Sequence, residues 1–302
     1  MAGINMKSDA LELIGTVDVS NTLGEGVIWD HQGGVVWWTD IQECEIFCYH
    51  LASQDLRRWK TPARVGCMGF IEGDGRLVLA FDRGFAYFDR ESGKVEWLAC
   101  PEDSVAGTRF NDGRTDRQGR FWAGTMVEDA DVNTQLGSLY TLSGDGRCDH
   151  KVSGITISNG LCFSPDSSLM YHSDSPLREI YVYDFDDKSG AISGRRLFKT
   201  TDEGCYPDGA CVDSEGYLYS AQWGGSRVVR YTPEGEEDAV FPMPASQVSC
   251  VAFGGENLDL LFVTSAREDL SEDALASEPD AGKLFIFKTP FVGLREPYFI
   301  PE

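Results

Sequence analysis

Six segments of this chain share one pattern, and the pattern changes its chemistry at a single position. Each begins with a polar or small residue, often followed by Gly, then runs through a short apolar stretch to a turn and a second apolar-aromatic stretch. The segments start at Glu25, Met68, Asn111, Asn159, Asp208 and Ser249, spaced 43, 43, 48, 49 and 41 residues apart. A period of about 40–50 residues holding several short strands is the signature of a propeller blade. The spacing therefore predicts an all-β, six-bladed β-propeller. In such a ring the innermost strand of every blade lines one central channel, so the six equivalent positions converge on the axis. Two carboxylates (Glu25, Asp208) and two amides (Asn111, Asn159) aimed at one point make a cation site or an acid–base site.

Six repeats of this length use the whole chain, so residues 1–302 are expected to form a single domain. The 33 glycines and 12 prolines fall mainly between apolar runs, as turns between many short strands require. Helical periodicity is confined to residues 270–276. A strand at 11–17 has no repeat of its own. Placed as the outermost strand of the last blade, beside residues 283–287, it would close the ring and leave no open edge where the chain ends meet. An acidic stretch at 127–136 lengthens the third repeat. It is expected to overhang one face as a loop, either a plain solvated one or a carrier of substrate contacts.

The chain has 49 acidic and 26 basic residues, a net charge of −23. Nucleic acid and anionic membranes attract basic surfaces, so neither is expected as a partner. No exposed apolar stripe calls for an obligate protein partner. Nine cysteines lie scattered through strand-like segments with no CxxC pair, which sets zinc-finger chemistry aside. They read as reduced core residues of a reducing compartment. Residues 1–9 hold no basic stretch followed by an apolar one, and no run approaches membrane-spanning length. The expected location is cytoplasmic.

Each axial residue has a bland alternative, because Asn or Asp before Gly is usually a turn and a lone Glu is an ordinary surface residue. Their common register in one repeat raises them above it. At that position a buried strand normally starts with an apolar or small residue, as at Met68 and Ser249. Carboxylate and amide oxygens are hard ligands suited to Ca²⁺, Mg²⁺ or Mn²⁺. Two buried carboxylates also bring a charge of about −2 that is costly without a compensating cation.

On these residues the chain resembles the senescence-marker-protein/gluconolactonase/luciferin-regenerating family. The matching stretches are Leu23-Gly24-Glu25-Gly26 with Trp29, Arg109-Phe110-Asn111-Asp112-Gly113 continuing through Gly124-Thr125-Met126, Ser158-Asn159-Gly160, Asp174-Ser175, and Tyr206-Pro207-Asp208-Gly209. They run in the family's order through nearly the whole chain. The resemblance implies a six-bladed propeller with one divalent ion near the top of the channel, hydrolysing a sugar lactone. Carried over, it makes Glu25, Asn159 and Asp208 the metal ligands and Asp208 the general base as well. It makes Arg109 and Asn111 the residues that hold sugar hydroxyls. Asp129 falls, by ungapped counting, where the family has a substrate-contacting Glu; Glu128 takes that place if the loop is shifted. The ion stays open among Ca²⁺, Mg²⁺, Mn²⁺, Zn²⁺ and Fe(II). Residues 253–267 look more like bacterial aldonolactonases, which implies sugar catabolism and a pentonolactone as substrate.

Other residues carry weaker signals. His172 follows Tyr171 on a second strand and reads as a packing residue before a catalytic base. Trp223 is placed either to wall the pocket or to fill the rim. Ser158 lacks His and Asp partners at a recognisable spacing, which leaves a serine hydrolase unsupported. Two rival functions remain: hydrolysis of another ester or phosphotriester on the same scaffold, and a non-catalytic cation-binding propeller. Arg109 and the acidic loop suit a polyol better than an aromatic ester, and a purely cation-binding protein needs no polar substrate contacts.

Overall fold

The computed structural model describes residues 11–128 and 136–302, and among them the repeats form six four-stranded antiparallel sheets. The inner strands are Gly24–Asp30, Val65–Phe70, Thr108–Thr115, Ser158–Phe163, Tyr206–Val212 and Val248–Gly254. Each packs against the inner strands of the blades before and after it, and Gly24–Asp30 touches both Val65–Phe70 and Val248–Gly254. The ring is therefore closed, and blade three faces blade six across the axis. The predicted six-bladed β-propeller is the fold.

Closure uses both ends of the described chain. Glu12–Asp18 pairs antiparallel with Lys283–Lys288, in a register running from Glu12↔Lys288 to Asp18↔Lys283. It is the fourth strand of the blade built on Val248–Gly254 and Leu260–Ser265, as the unpaired segment at 11–17 requires. The seam between this blade and the first is apolar: Val17, Val27, Trp38, Leu284 and Ile286 are buried in one cluster. Trp29 of the first blade stacks on Phe262 of the last at 5.4 Å between ring centroids. The helical signal at 270–276 appears as a helix at Glu272–Ser277, capped by the Ser271 side chain, which accepts from the Ala274 amide at 3.2 Å.

Short polar residues repeat with the blades and hold the connections. Asp30, Asp116 and Asp213 end their inner-strand regions, and each accepts two backbone N–H bonds from the hairpin turn that follows, the Asx-turn chemistry of tight turns. Asp40 and Asp174 end second strands and clamp the residues entering their own inner strands. Asp40 accepts from the Thr22 and Leu23 amides at 2.7 and 3.1 Å, and Asp174 from Thr156 and Ile157 at 2.9 and 3.0 Å.

One irregularity recurs in the first and in the third to sixth blades. The ladder between inner and second strand breaks so that two inner residues oppose one partner residue, between Glu25 and Ile28, Phe110 and Gly113, Asn159 and Cys162, Pro207 and Ala210, and Val248 and Val251. These are β-bulges, and a bulge re-aims the side chains beside it. Gly26 and Gly160 stand inside two of them with φ of 58° and 62°, the left-handed region that glycine enters without steric cost.

The far end of the channel is crossed by the last part of the chain. Phe299 donates its amide to Phe70 O at 2.7 Å and Ile300 donates to Gly119 O at 3.1 Å. Glu296, within this segment, forms an ion pair with Arg114 of the third inner strand at 3.1 Å. No periodic pattern in the sequence marks this crossing.

Removing residues 1–18 strips the outer strand from blade six and bares the edge of Lys283–Lys288. With net values of about 0.5–1.5 kcal/mol for each ladder hydrogen bond lost, the expected loss is about 3–5 kcal/mol in urea-monitored unfolding. An unchanged midpoint and slope would remove the strand from the closure.

Candidate active site

The bulges deliver their residues to one place. Glu25, Arg109, Asn111, Asn159 and Asp208, from blades one, three, four and five, line a single cavity of about 310 Å³ at one end of the channel. All five are buried. Met126, Trp223 and Glu268 complete parts of its wall, so Trp223 does wall the pocket. Asp129 lies outside the described residues. Glu128, beside it, is placed against two arginines: Arg64 donates from Nη2 to Glu128 Oε2 at 3.1 Å, and Arg109 Nε stands 3.7 Å from Oε1.

A line of hydrogen bonds crosses from blade three to blade five. Arg109 Nη1 donates to Asn111 Oδ1 at 2.7 Å, and Asn111 Nδ2 donates to Asn159 Oδ1 at 2.8 Å and to Ser158 O at 2.9 Å. Asn159 Nδ2 then donates to Ser175 Oγ at 2.8 Å, and Ser175 Oγ donates to Pro207 O at 2.6 Å. Both amide hydrogens of Asn111 are thus engaged within the protein. The arrangement fixes which way the Asn159 amide faces, and it ties that amide to the residue immediately before Asp208.

The electrostatics concentrate on the carboxylates. Burial, then the charge of Asp112, drives the Glu25 carboxyl upward. Burial, then Glu25 and Asp112, drives Asp208 well above the ordinary range. Asp112 is the unforeseen member: it occupies the bulge beside Asn111, and its Oδ2 accepts the Leu161 amide at 3.0 Å. Burial raises it too, against the lowering effect of backbone donors and Arg114. Arg109 is the buried cation of the cavity, and burial lowers it from its usual value. Acids this crowded and desolvated hold their charges poorly unless a cation joins them.

Among the described residues no three of His, Cys, Asp and Glu gather into a metal cluster; the axial set has two carboxylates, Glu25 and Asp208, with the Asn159 amide oxygen between its neighbours. Hard oxygens with that net negative charge fit a hard divalent cation and give a soft ion no sulfur or imidazole to hold. Ser175 and Glu268 were not singled out in the sequence as site residues. Ser175 stands beside Asp174 in a stretch that carries the family resemblance, whereas Glu268 falls outside the repeat register.

Ser158 and His172 sit behind the site. Ser158 Oγ lies 2.8 Å from His172 Nε2, and both are buried. Neither lines the cavity, and His172 opposes the bulge at Gly160 and Leu161. Burial, then Arg195, lowers its pKa to about 3. The pair acts as packing for the Asn159 strand.

A closed six-bladed propeller with an acidic oxygen-donor pocket at one end of its axis defines a class of small-molecule-handling proteins. The chain belongs to the SMP-30/Gluconolactonase/LRE-like family, whose model matches residues 23–267. It is 37% identical over 283 residues to an L-arabinolactonase of Azospirillum brasilense, covering 93% of each chain. It is 35% identical over 281 residues to a 6-deoxy-6-sulfogluconolactonase of Pseudomonas putida, covering 92% of this chain and 95% of the relative. Among solved structures it superposes on a calcium-binding regucalcin of Agrobacterium tumefaciens with a TM-score of 0.89 at 32% identity, over 95% of this chain and 97% of the other.

His172 also sets a pH dependence. Its folded pKa of about 3 lies below the ordinary value of about 6.5, so between the two the unfolded chain binds a proton that the folded chain refuses. Its contribution to stability is complete above about pH 6.5 and is lost as the pH falls, by up to roughly 1.4 kcal/mol per pH unit. Urea unfolding of His172→Gln between pH 4 and 7 should show a shallower acid slope than wild type. Parallel slopes would place the acid sensitivity elsewhere.

Proposed function

We propose that this chain, a lactonase, opens the ring of a sugar lactone, a pentonolactone by preference, with a divalent cation held by Glu25, Asn159 and Asp208. One observation carries the reading: two buried carboxylates and an oriented amide converge in a cavity whose other polar lining includes Arg109 and Asn111. The names of the lactonase relatives support the substrate class, and the calcium-binding regucalcin supports a divalent ion. The cavity, about 310 Å³, is of a size for one small sugar ring.

A divalent cation, when bound, withdraws electron density from the lactone carbonyl and offsets the charge of the two carboxylates. The chain's own groups do the rest. Asp208 takes the proton of the attacking water, its carboxylate being held beside the axis by the bulge at Asp208 and Gly209. Asn111 keeps the Asn159 oxygen turned toward the site through its 2.8 Å bond. Arg109 presents its guanidinium to ring hydroxyls and is itself fixed by Phe110 O at 3.0 Å and by Asn111, so little freedom is lost when substrate binds. Glu128 braces Arg109, and the proposed further contact to the sugar is Asp129, or Glu128 in its place. The product is an aldonate, and a protein of net charge −23 does not retain it. The enzyme works alone on its substrate, as one domain over residues 1–302, in the cytoplasm where nine unpaired cysteines stay reduced. No described helix is long and apolar enough to cross a membrane.

Hydrolysis of a pentono-1,4-lactone is expected to stop after exhaustive chelation and to return with added Ca²⁺, Mg²⁺ or Mn²⁺. The melting temperature should fall and recover in step, because an ion that binds only the folded state stabilises it by about 2.7 kcal/mol at a hundredfold excess over its dissociation constant. Full activity in protein shown by elemental analysis to be metal-free would overturn the reading.

Asp208→Asn should keep the fold and lose about 10²–10⁴ in kcat, the usual cost of removing a general base. Circular dichroism and a lactone assay measure the two together. Activity within a few-fold of wild type would take Asp208 out of the proton transfer.

A further inference from the structure

Glu268 belongs to no repeat position, yet it shares the cavity with Glu25, Arg109 and Asp208. It follows the second strand of blade six, Leu260–Ser265. Two glutamines from elsewhere in the chain set it in place. Gln42, from the turn after Val35–Asp40 in blade one, donates from Nε2 to Glu268 Oε1. Gln247, just before the inner strand of blade six, donates to the Glu268 carbonyl at 2.9 Å. The ion pairs of the nearby arginines are made with other acids: Arg64 with Asp82 and Glu128, and Arg109 with Glu128. Among the described residues the Glu268 carboxylate is thus held by a neutral donor with its second oxygen uncommitted, while its charge is felt by Arg109.

The ring order gives that placement a meaning. Blade six faces blade three, so Glu268 stands across the axis from Arg109 and Asn111. Between these polar anchors the wall is mainly apolar, made by Leu23, Met126, Ile157, Pro176 and Trp223, with hydroxyls from Ser175 and Tyr206. A ring held at its ester end by the axial residues therefore meets the Arg109 guanidinium on one side and the Glu268 carboxylate on the other.

We infer that Glu268 is a specificity-determining residue of this cavity: it accepts a hydroxyl of the sugar on the side away from Arg109 and turns away lactones that carry a second negative charge. The inference rests on the lactonase reading of the same cavity. A carboxylate accepts an O–H in a short, charge-assisted bond of about 2.5–2.7 Å, which a neutral polyol satisfies and an anionic substituent cannot. Glu268 is only partly buried, and two like charges brought together there repel more strongly than in bulk solvent, though less than in a dry interior. Glu25 and Asp208 impose no such filter once a cation offsets them, and Glu128 is matched by two arginines, whereas Glu268 forms no ion pair among the described residues.

A matched pair of substrates tests this. Glucono-1,4-lactone is neutral, and glucaro-1,4-lactone is nearly the same molecule with a free carboxylate at its far end. The wild type should favour the neutral lactone, and its preference in kcat/KM should shrink as salt is raised, since exposed parts of the repulsion are screened. In Glu268→Gln the preference should fall by at least about tenfold, chiefly through a lower KM for the anionic lactone. In Gln42→Ala the carboxylate keeps its charge but loses its clamp, so KM for the neutral lactone should rise while the preference persists. An unchanged preference in Glu268→Gln, or equal losses on both lactones, overturns the role of Glu268 and leaves the lactonase reading standing. A wild type that opens neither of these nor a pentono-1,4-lactone overturns that reading, and the inference with it.

Discussion

A β-strand turns successive side chains to opposite faces, so a regular inner strand cannot gather neighbouring residues at the channel mouth while keeping its apolar residues between the blades. The repeated bulge relieves that constraint. Two residues opposing one, at or just after the axial position in five blades, shift the register by one and let Glu25, Asn111, Asn159 and Asp208 face inward. Val27, Leu161 and Ala210 still pack in the interior. Left-handed Gly26 and Gly160 make two of these turns possible. A side chain at either position would strain the backbone where the site depends on it.

Buried charge at the axis is the cost of this arrangement, and the surrounding polar network shows how it is distributed. Asp112 lies beneath the site and accepts backbone amides, so its charge has donors of its own. Arg114 and Glu296 neutralise one another at the opposite end. Glu25 and Asp208 have few such partners and are the pair most raised by their surroundings. The imbalance falls where a cation is proposed, which separates a binding site from a merely satisfied polar core.

The fold and the axial residues were legible because the repeat is long, regular and sampled six times. One register position decided Glu25, Asn111, Asn159 and Asp208, and the surplus strand near the start decided the closure. What stayed hidden has a common physical reason: it depends on contacts between blades. Nothing local marks Asp112 as a buried charge, since Asn-Asp-Gly reads equally well as a turn. Glu268 stands outside the register and acquires its role only when blades one and six bring Gln42 beside it. Glu296 and the crossing of the channel's far end have no periodic signal at all. His172 read correctly as packing, because its partner is Ser158 and its position lies behind the cavity.

The seam that joins Glu12–Asp18 to Lys283–Lys288 also sets a clock. The first strand leaves the ribosome long before its partner exists, and at about 5–20 residues per second the wait is of order tens of seconds. Until then the nascent chain can build five complete blades but no ring. Glu25 in the first blade and Asp208 in the fifth are separated by the one blade still unfinished, so they cannot be held at their final spacing. The proposed site is therefore completed in a single late event, and an assay for activity during synthesis is in effect an assay for the meeting of the two ends.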